Sequence, residues 1–516
     1  MKASLDFEEE SFFQGNTAIL TAAIRKEEMI KSIKESPLYS IVNPRSIAFF
    51  GASNNFLRMG SIMLSSVQEL GYEGKIYPVH QKEKQVRGLT AYRSIMDLPE
   101  VPDLAVIVLP TAIVCRTLEE CGKKGIRHAI IVSGGFREAG PEGAALQKEM
   151  EAVARQYGIR FLGPNCLGIA NPYIKLNPTT LTAEGPPGFV GLASQSGSFI
   201  TQMFDYLHRN GMGFSAALSV GNEASIDIVD CLEYLGVCPN TKVITLYIEG
   251  ITRGEAFVRA AKNIIRRKPI VALYVGGSEA GKHAGRSHTG SLSGPNEIYD
   301  GVFRQCGIIR AQSLTEMFDY ALALGTLPKP KGNRVIIQTH SGGPGATAAD
   351  ACGRAGLRLP PLSAQTVEKL QPMIPRTAST ANPLDLTYSL NSAESFFDIP
   401  DLLLGDPNAD MLLAYFLSPG IFVDRILREM GVSEEEIPKT RNKMLIDHAE
   451  AFRSLVKRHP DKPIVGFTYR SLQEGMVRYL LDRAIPIYQD PERAARAMAA
   501  VLQYHRVRES IATSDV

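Results

Sequence analysis

Short runs of β-branched and aliphatic residues alternate with longer amphipathic stretches along almost the whole chain of 516 residues. Such runs occupy residues 46–50, 75–79, 104–108, 128–132 and 160–162 in the first third of the sequence. This alternation predicts parallel β-sheets whose strands are joined by helical crossovers. The chain is too long for one hydrophobic core, because domains average roughly 150 residues. We therefore predict an α/β protein of three consecutive doubly wound domains.

Two segments rich in proline and glycine, residues 183–188 and 328–332, mark the predicted domain boundaries. Further strand-like runs follow each of them, at 189–193, 215–220, 243–248 and 270–275 and then at 334–339, 411–416 and 463–467. The prediction is a charged helical extension over 1–40, domains over 41–182, 183–328 and 332–506, and a tail over 507–516.

Composition excludes several classes of protein. Hydrophobic residues make up 44% of the chain and charged residues 21%, and the formal net charge is only +2. A balanced charge predicts no strongly basic surface that would bind a nucleic acid. The seven cysteines include no C-x-x-C pair, which favours reduced thiols over disulfides or a zinc site. No apolar run approaches the roughly 20 residues needed to span a bilayer, and the acidic N-terminus lacks a signal peptide's apolar region. We predict a cytoplasmic protein with no metal site, no membrane contact and no nucleic acid partner.

The turn after the first strand, Gly51-Ala52-Ser53-Asn54, is the first candidate binding site. A glycine-rich turn between a strand and a helix presents amides and a helix N-terminus to phosphate. The spacing is not G-x-G-x-x-G. Lys75, where the second strand begins, and the basic residues after that strand suit a phosphorylated nucleotide better than the ribose of NAD. The alternative is a tight turn that binds nothing.

The loop Gly163-Pro164-Asn165-Cys166-Leu167-Gly168 follows the last strand of the same domain. Asn165 offers both a donor and an acceptor to a ligand. A rigid connection without a ligand is an equally good interpretation. Cys166 has no histidine beside it in sequence, so we interpret it as a packing residue rather than a nucleophile.

The second domain holds one histidine among glycines and hydroxyls, His288 in the segment 285–294. A neutral imidazole is a competent nucleophile near pH 7. Glu249 follows the preceding strand, 243–248. Successive parallel strands end at one edge of a sheet, so Glu249 can orient the imidazole. The alternative is an ordinary exposed loop histidine.

Two more segments of small residues lie at predicted helix starts. In Ala193-Ser194-Gln195-Ser196-Gly197-Ser198, small hydroxyl residues can form an anion site, although a simple serine N-cap is the alternative. The segment 339–345, THSGGPG, either binds an anion or forms a contact between domains.

Taken in order, these motifs resemble the α subunit of ADP-forming acyl-CoA synthetases, relatives of succinyl-CoA synthetase, over about residues 40–505. The motifs GASNN, SGGFRE at 133–138, GPNCLG, SQSGS, YIEG at 247–250, SHTGSLSG and GGPG carry the resemblance. It implies a Rossmann-like CoA-binding domain followed by two flavodoxin-like ligase domains. The residues expected at the CoA site are Gly51, Ala52, Ser53, Asn54, Lys75, Pro110 and Asn165. The residues expected at the catalytic and phosphate sites are His288, Glu249, Ser196, Gly197, Ser198 and Gly290.

The resemblance also implies a reaction. Acyl-CoA, phosphate and ADP would interconvert with a carboxylic acid, CoA and ATP through an acyl phosphate and phosphorylated His288. ADP or ATP, with Mg²⁺, would bind a separate ATP-grasp β subunit in a homo- or hetero-oligomer. One alternative is a non-catalytic CoA-binding regulatory or scaffold protein of the same fold. A weaker one is a Rossmann-type oxidoreductase, which the missing G-x-G-x-x-G disfavours. The chain departs from the family at His340 and Ser341 and over the longer stretch 406–461.

Overall fold

The computed structural model describes residues 33–181, 185–278, 294–387, 394–417 and 420–514. Most of the predicted helical extension, residues 1–32, lies outside the described residues. Contacts within the chain separate it into two compact units. The first unit comprises residues 1–204, 214–268 and 274–299, and the second comprises 205–213, 269–273 and 300–516. None of the described helices is both long enough and apolar enough to cross a membrane.

The first sheet contains five parallel strands in the order β2-β1-β5-β6-β7. The strands β1, β5 and β6 consist mostly of buried apolar residues. They form continuous hydrophobic runs in the sequence because helices cover the sheet. The strands are β1 (Ser46–Phe50), β2 (Lys75–Val79), the hairpin β3 (Gln85–Val86) and β4 (Leu89–Thr90), β5 (Leu104–Ile107), β6 (His128–Ile131) and β7 (Arg160–Leu162). The helices are α1 (Tyr39–Val42), α2 (Met59–Glu69), α3 (Thr111–Lys124) and α4 (Pro141–Tyr157).

The second sheet has six strands in the order β13-β12-β11-β9-β10-β8, and β8 is an antiparallel edge strand. Its strands are β8 (Ile169–Ala170), β9 (Val190–Ser194), β10 (Phe214–Ser219), β11 (Val243–Ile248), β12 (Ile270–Tyr274) and β13 (Ile309–Ala311). Its helices are α5 (Ser198–Arg209), α6 (Ile228–Val237), α7 (Gly254–Ile265), α8 (Asn296–Cys306) and α9 (Leu314–Thr326). Because β8 pairs with β10, the chain joins the second sheet before the boundary predicted at residue 182.

The third sheet has five parallel strands in the order β15-β14-β16-β17-β18. Its strands are β14 (Val335–Thr339), β15 (Leu384–Asp385), β16 (Met411–Tyr415), β17 (Ile464–Phe467) and β18 (Ile487–Tyr488). Its helices are α10 (Gly342–Arg354), α11 (Ala364–Leu370), α12 (Ile399–Gly405), α13 (Gly420–Glu429), α14 (Ile437–Arg458), α15 (Gly475–Leu481) and α16 (Pro491–Ser514).

All three sheets share one topology. When the parallel strands of each sheet are numbered along the chain, their spatial order is 2-1-3-4-5, which is the flavodoxin-like order. The predicted class of three doubly wound α/β sheets is therefore confirmed. The first sheet was expected to be Rossmann-like and has this same order. In each sheet the crevice for a ligand is expected at the carboxyl ends of the strands, between the first and third strands.

A buried ion pair links two helices of the second unit. Arg493 on α16 donates from Nε and Nη2 to the two carboxylate oxygens of Asp319 on α9, at 2.7 Å each. Only 13% of the arginine side chain and 7% of the aspartate side chain are exposed. Removing one partner would leave a buried charge without compensation.

We expect Arg493→Ala to destabilise the second unit by about 3–5 kcal/mol, because Asp319 stays buried. A loss of that size lowers the apparent melting temperature by roughly 6 °C or more. The control is Arg496→Ala, since Arg496 is half exposed and pairs with Glu316 at 3.3 Å; its cost is expected to be about 1 kcal/mol or less. Differential scanning calorimetry checks both variants, and equal shifts would contradict the buried-pair account.

Candidate active site

The turn after β1 is packed too tightly for any residue but glycine at its start. Gly51 has φ +92°, and a Cβ there would lie 1.9 Å from the carbonyl oxygen of Val108. A Cβ on Gly60, in α2, would lie 2.5 Å from the carbonyl oxygen of Gly51. The backbone of β1, the residues after β5 and the start of α2 therefore meet here. Pro110 directly precedes α3 on the other side of the same switch point.

The polar groups of this turn hold the β3–β4 hairpin. Asn54 donates from its backbone N and its Nδ2 to Oε2 of Glu83, at 3.0 and 2.6 Å, and its Oδ1 accepts from the backbone N of Arg87 at 2.9 Å. Ala52 and Ser53 are buried. A ligand at this edge would thus meet the turn's backbone and the hairpin. Ligand binding by these three residues stays a prediction.

Lys75 does not belong to this cluster. It is the first residue of β2 and pairs in register with Ser46, the first residue of β1, so it lies at the edge opposite Gly51. Its Nζ donates to Glu100 at 2.8 Å, and that hydrogen bond raises the pKa of Lys75. The structure therefore does not bring Lys75 together with Gly51, and a role for Lys75 in binding CoA stays a prediction.

The loop after β7 lies at the same edge as the β6 loop. Asn165 has φ +57°, and its backbone N donates to the carbonyl of Ser133 at 2.9 Å. Its Nδ2 donates to Oδ1 of Asn222 at 3.4 Å. Cys166 is buried, and burial raises the pKa of its thiol to about 12. The thiol is therefore protonated at neutral pH, as a packing residue would be.

In the second sheet, β9 ends in the turn that begins α5. Ser194 Oγ donates to the carbonyl of Ser196 at 2.6 Å, and the hydroxyls of Ser196 and Ser198 lie 3.1 Å apart. A Cβ on Gly197 would lie 2.9 Å from Leu167 in the loop after β7, so glycine permits this contact. The turn thus brings two hydroxyls and a helix N-terminus together, which suits an anion.

Glu249 follows β11 beside this turn. The strands β11 and β9 are parallel, with Tyr247 opposite Ser194. The Gln195 side chain joins the two strand ends. Its Oε1 accepts from the backbone N of Glu249 and, at 3.0 Å, from that of Gly250, and its Nε2 donates to the carbonyl of Gly250 at 2.7 Å. The structure therefore brings the predicted carboxylate and the predicted phosphate-binding turn together.

Sequence reasoning missed a second carboxylate, Glu223. It follows β10 with φ +55°, and its Oε2 accepts from Gln195 Nε2 at 2.8 Å. Its Oε1 accepts from the backbone N of Ile228 at 2.8 Å. Burial raises the pKa of Glu223 to about 7, although both hydrogen bonds act in the opposite direction. A glutamate directly after a Gly-Asn turn at a strand's carboxyl end was the available signal.

His288 and Gly290 lie outside the described residues, but both flanks of their segment are described. The segment follows β12, whose end adjoins β11, since the backbone N of Val275 donates to the carbonyl of Ile248 at 2.9 Å. Tyr274 donates from its hydroxyl to the carbonyl of Gly294 at 2.7 Å. The chain therefore leaves and returns at the carboxyl edge that carries Glu249. No cluster of metal-ligating side chains occurs among the described residues.

The glycine-rich segment of the third sheet begins α10 at Gly342. His340, between β14 and this helix, is buried, and burial lowers the pKa of its imidazole to about 4. Its ring lies against Phe396, with centroids 6.3 Å apart. His340 therefore packs as a neutral ring, and both interpretations of the segment remain predictions.

Comparisons with known proteins agree with this arrangement. Residues 45–172 match a CoA binding domain, and residues 187–324 match the succinyl-CoA ligase like flavodoxin domain. The α subunit of ADP-forming acetate–CoA ligase II from Pyrococcus furiosus is 39% identical over 464 residues, which are 89% of this chain and 96% of that protein. The chain belongs to this family. It is therefore of the acid–thiol ligase class, which favours the catalytic interpretation over a non-catalytic CoA-binding protein.

Longer relatives and a solved structure extend the match. ADP-forming acetate–CoA ligase I of Archaeoglobus fulgidus is 37% identical over 90% of this chain, which covers 63% of that protein. The dinucleotide-forming acetyl-coenzyme A synthetase 1 of Candidatus Korarchaeum cryptofilum, solved with phosphate and ADP, is 32% identical. It superimposes with a TM-score of 0.80 over 92% of this chain and 98% of that one. The predicted family and fold are confirmed.

In this ADP-forming ligase, Gly51→Ala is expected to weaken CoA binding by roughly 10- to 100-fold. The new Cβ would collide with the carbonyl oxygen of Val108 and so displace the backbone of the turn. Lys75→Ala is expected to change the dissociation constant less than about twofold, because Lys75 lies at the far edge. Isothermal titration of CoA into each purified variant checks both outcomes. A comparable loss in Lys75→Ala would contradict the placement of the crevice.

We expect Cys166 to be unreactive and dispensable for chemistry, since its thiol pKa of about 12 leaves almost no thiolate at pH 7.5. Iodoacetamide treatment of the folded protein, followed by peptide mass mapping, should leave Cys166 unmodified. Cys166→Ala should retain ligase activity within about threefold. Rapid alkylation at Cys166 together with loss of turnover would restore it as a candidate nucleophile.

Proposed function

We propose that this chain is the α subunit of an ADP-forming acyl-CoA synthetase in which His288 carries a phosphoryl group between an acyl phosphate and ADP. One observation carries the proposal. The hydroxyl-lined start of α5 and Glu249 lie at one sheet edge and are joined by Gln195. An anion site beside a carboxylate is what a transient phosphohistidine needs, because the carboxylate favours the cationic ring and the helix N-terminus favours the phosphoryl group.

The proposed reaction has three displacements, each reversible. Inorganic phosphate attacks the thioester carbonyl, the C–S bond breaks, and CoA leaves with a proton as the thiol. A ring nitrogen of neutral His288 then attacks the phosphorus of the acyl phosphate, and the carboxylate leaves. Finally, a β-phosphate oxygen of ADP attacks the phosphohistidine, the P–N bond breaks, and ATP forms. Dividing the exchange into acyl and phosphoryl transfers gives each step a good leaving group.

The residues of this chain have distinct parts in these steps. The hydroxyls of Ser196 and Ser198 and the amides at the start of α5 would hold the phosphate oxygens, with Gly290 completing the site from the His288 segment. They stabilise the charge on the transferring group without reorganisation. Glu249 would orient His288 and stabilise the imidazolium of the phosphorylated form. CoA would lie at the carboxyl edge of the first sheet, near Gly51, Pro110 and Asn165.

The nucleotide is proposed to bind, with Mg²⁺, on a separate ATP-grasp β subunit. Two relatives support this assignment. The Pyrococcus furiosus protein is named as an α subunit and is almost fully covered, whereas this chain covers 63% of the Archaeoglobus fulgidus protein. The Mg²⁺ ion would neutralise the phosphates of ADP during transfer. We further propose a cytoplasmic complex, with domains over 41–182, 183–328 and 332–506 in this subunit and with β8 of the first range joining the sheet of the second.

The acyl group is proposed to be that of a monocarboxylic acid. The relatives support this class, because they are named for acetate, 4-hydroxybutyrate and trans-ferulate. These acids share one carboxylate and differ widely in size. Acetyl-CoA and acetyl phosphate are therefore suitable first probes.

His288→Asn should abolish phosphorylation of the chain, because the side-chain amide cannot form the phosphoramidate. The purified protein is mixed with labelled inorganic phosphate and acetyl-CoA, and acid-labile, base-stable label is counted. Glu249→Gln should lower the labelling rate by roughly 10- to 1,000-fold through loss of imidazolium stabilisation.

His283→Asn is the matched control, since it makes the same change five residues earlier in the same segment, and it should label normally. Label that survives in His288→Asn would move the phosphorylated residue elsewhere. Absence of label on the unaltered chain with acetyl-CoA and with longer acyl-CoAs would refute the proposed function.

A further inference from the structure

The Gln195 amide uses every hydrogen-bonding position that it has. Its oxygen accepts from the backbone N of Glu249 and of Gly250, and its nitrogen donates to the carbonyl of Gly250 and to Glu223. The side chain is 5% exposed. Exchanging its oxygen and nitrogen would place an NH₂ group against two backbone N–H groups. The contacts therefore permit one orientation of this amide.

Glu223 is the one side chain among these partners. Both of its carboxylate oxygens are acceptors, one for Gln195 and one for the backbone N of Ile228, at 2.8 Å each. Ile228 is the first residue of α6, so this carboxylate also lies at a helix N-terminus, where negative charge is favoured. Glu223 thus links the start of α6 to the amide that holds the Glu249–Gly250 peptide.

The loop that carries Glu223 is itself fixed. A Cβ on Gly221 would lie 2.3 Å from the carbonyl oxygen of Pro164. Asn222 donates from its backbone N to that carbonyl at 2.9 Å and from Nδ2 to Oε2 of Glu138 at 2.5 Å. Glu223 is therefore held in place from its backbone, and its carboxylate acts as a fixed anchor for Gln195.

We propose that Glu223 is a positioning residue for the phosphorylation of His288, because it fixes Gln195 and, through Gln195, the peptide that carries Glu249. The inference rests on the proposed function and adds a residue that touches none of the reacting atoms.

Glutamine at position 223 would have a single acceptor oxygen. Its NH₂ would face either the backbone N–H of Ile228 or the NH₂ of Gln195. The substitution keeps the volume and removes one of the two hydrogen bonds.

Within the described residues, several charged or titratable groups interact with Glu223. Asp227, the N-cap of α6, opposes ionisation of Glu223, and Arg137 favours it. Asp227 is itself paired with Arg253, whose Nε and Nη2 donate to it at 2.5 Å each. Cys231 and Tyr299 also face Glu223, and burial raises the pKa of each, which keeps both uncharged at neutral pH.

The test follows single-turnover labelling of the purified full-length chain by acetyl [³²P]phosphate at several concentrations. Glu223→Gln is expected to lower the maximal labelling rate by roughly 10- to 100-fold, because the Glu249 peptide loses its fixed position. The half-saturating acetyl phosphate concentration should change less than about twofold, since no contact with the ligand is lost. Glu233→Gln, the same substitution on an exposed residue of α6, should label at the unaltered rate.

A double-mutant cycle separates action through Gln195 from an independent effect. Gln195→Leu should slow labelling to a similar extent, and adding Glu223→Gln should slow it no further. Multiplicative losses in the double variant would overturn the proposal, as would an unaltered rate in Glu223→Gln. If Glu223→Gln does not fold, Glu223→Asp replaces it, because aspartate keeps the carboxylate on a side chain that is one methylene shorter. The labelling rate of Glu223→Asp is expected to lie between those of the parent and Gln195→Leu, and a parental rate would also overturn the proposal. Absence of label on the parent chain would instead refute the proposed function.

Discussion

The parallel pairing of β9 with β11 is the constraint on which the candidate active site depends. Register places Tyr247 opposite Ser194, and the backbone N of Gln195 donates to the carbonyl of Tyr247 at 3.2 Å. The residues just beyond each strand are therefore neighbours, and these are Glu249 and the turn that begins α5. A shift of one residue would turn Gln195 to the opposite face, because side chains alternate along a strand. The chemistry of the site thus depends first on backbone hydrogen bonds.

A second constraint joins the carboxyl edge of the first sheet to that of the second. The loop after β7 approaches the turn after β9 and the loop after β10 so closely that Gly197 and Gly221 are needed, since a Cβ on either would lie within 3 Å of Leu167 or Pro164. The approach brings the loop after β7 against the loop that carries Glu223. With CoA at the first edge, as proposed, an acyl phosphate formed there would have a short path to the α5 turn, and a short path protects a reactive intermediate from water.

The sequence predicted the larger elements well, because long buried strands are continuous apolar runs. The predicted bounds of β1, β2, β7 and β11 coincide with the observed ones. The short edge strands β8, β15 and β18, of two residues each, were missed because so few residues form no recognisable pattern.

At the site, strand direction alone predicted Glu249 at the carboxyl edge of the second sheet, where the structure has it beside the α5 turn. The same reasoning, applied to the first residue of β2, places Lys75 at the opposite edge from Gly51. Gln195 and Glu223 were missed because the partners of Gln195 lie 28 and 55 positions away along the chain. Side-chain contacts over such separations follow from the folded register and leave no local pattern.

Two carboxylates beside the proposed anion-binding turn carry an electrostatic consequence. Glu223 and Glu249 are joined to the α5 turn through Gln195. Negative charge on Glu249, and on Glu223 above its raised pKa of about 7, would oppose the binding of free phosphate. The helix N-terminus contributes only about half of an elementary positive charge. In the proposed mechanism, phosphate would therefore be held best beside a cationic histidine ring, the form that results when neutral His288 attacks phosphorus and its other ring nitrogen keeps its proton. Such a site would bind the phosphoryl group more strongly on the histidine than off it, and this difference would stabilise the proposed carrier between its two transfers.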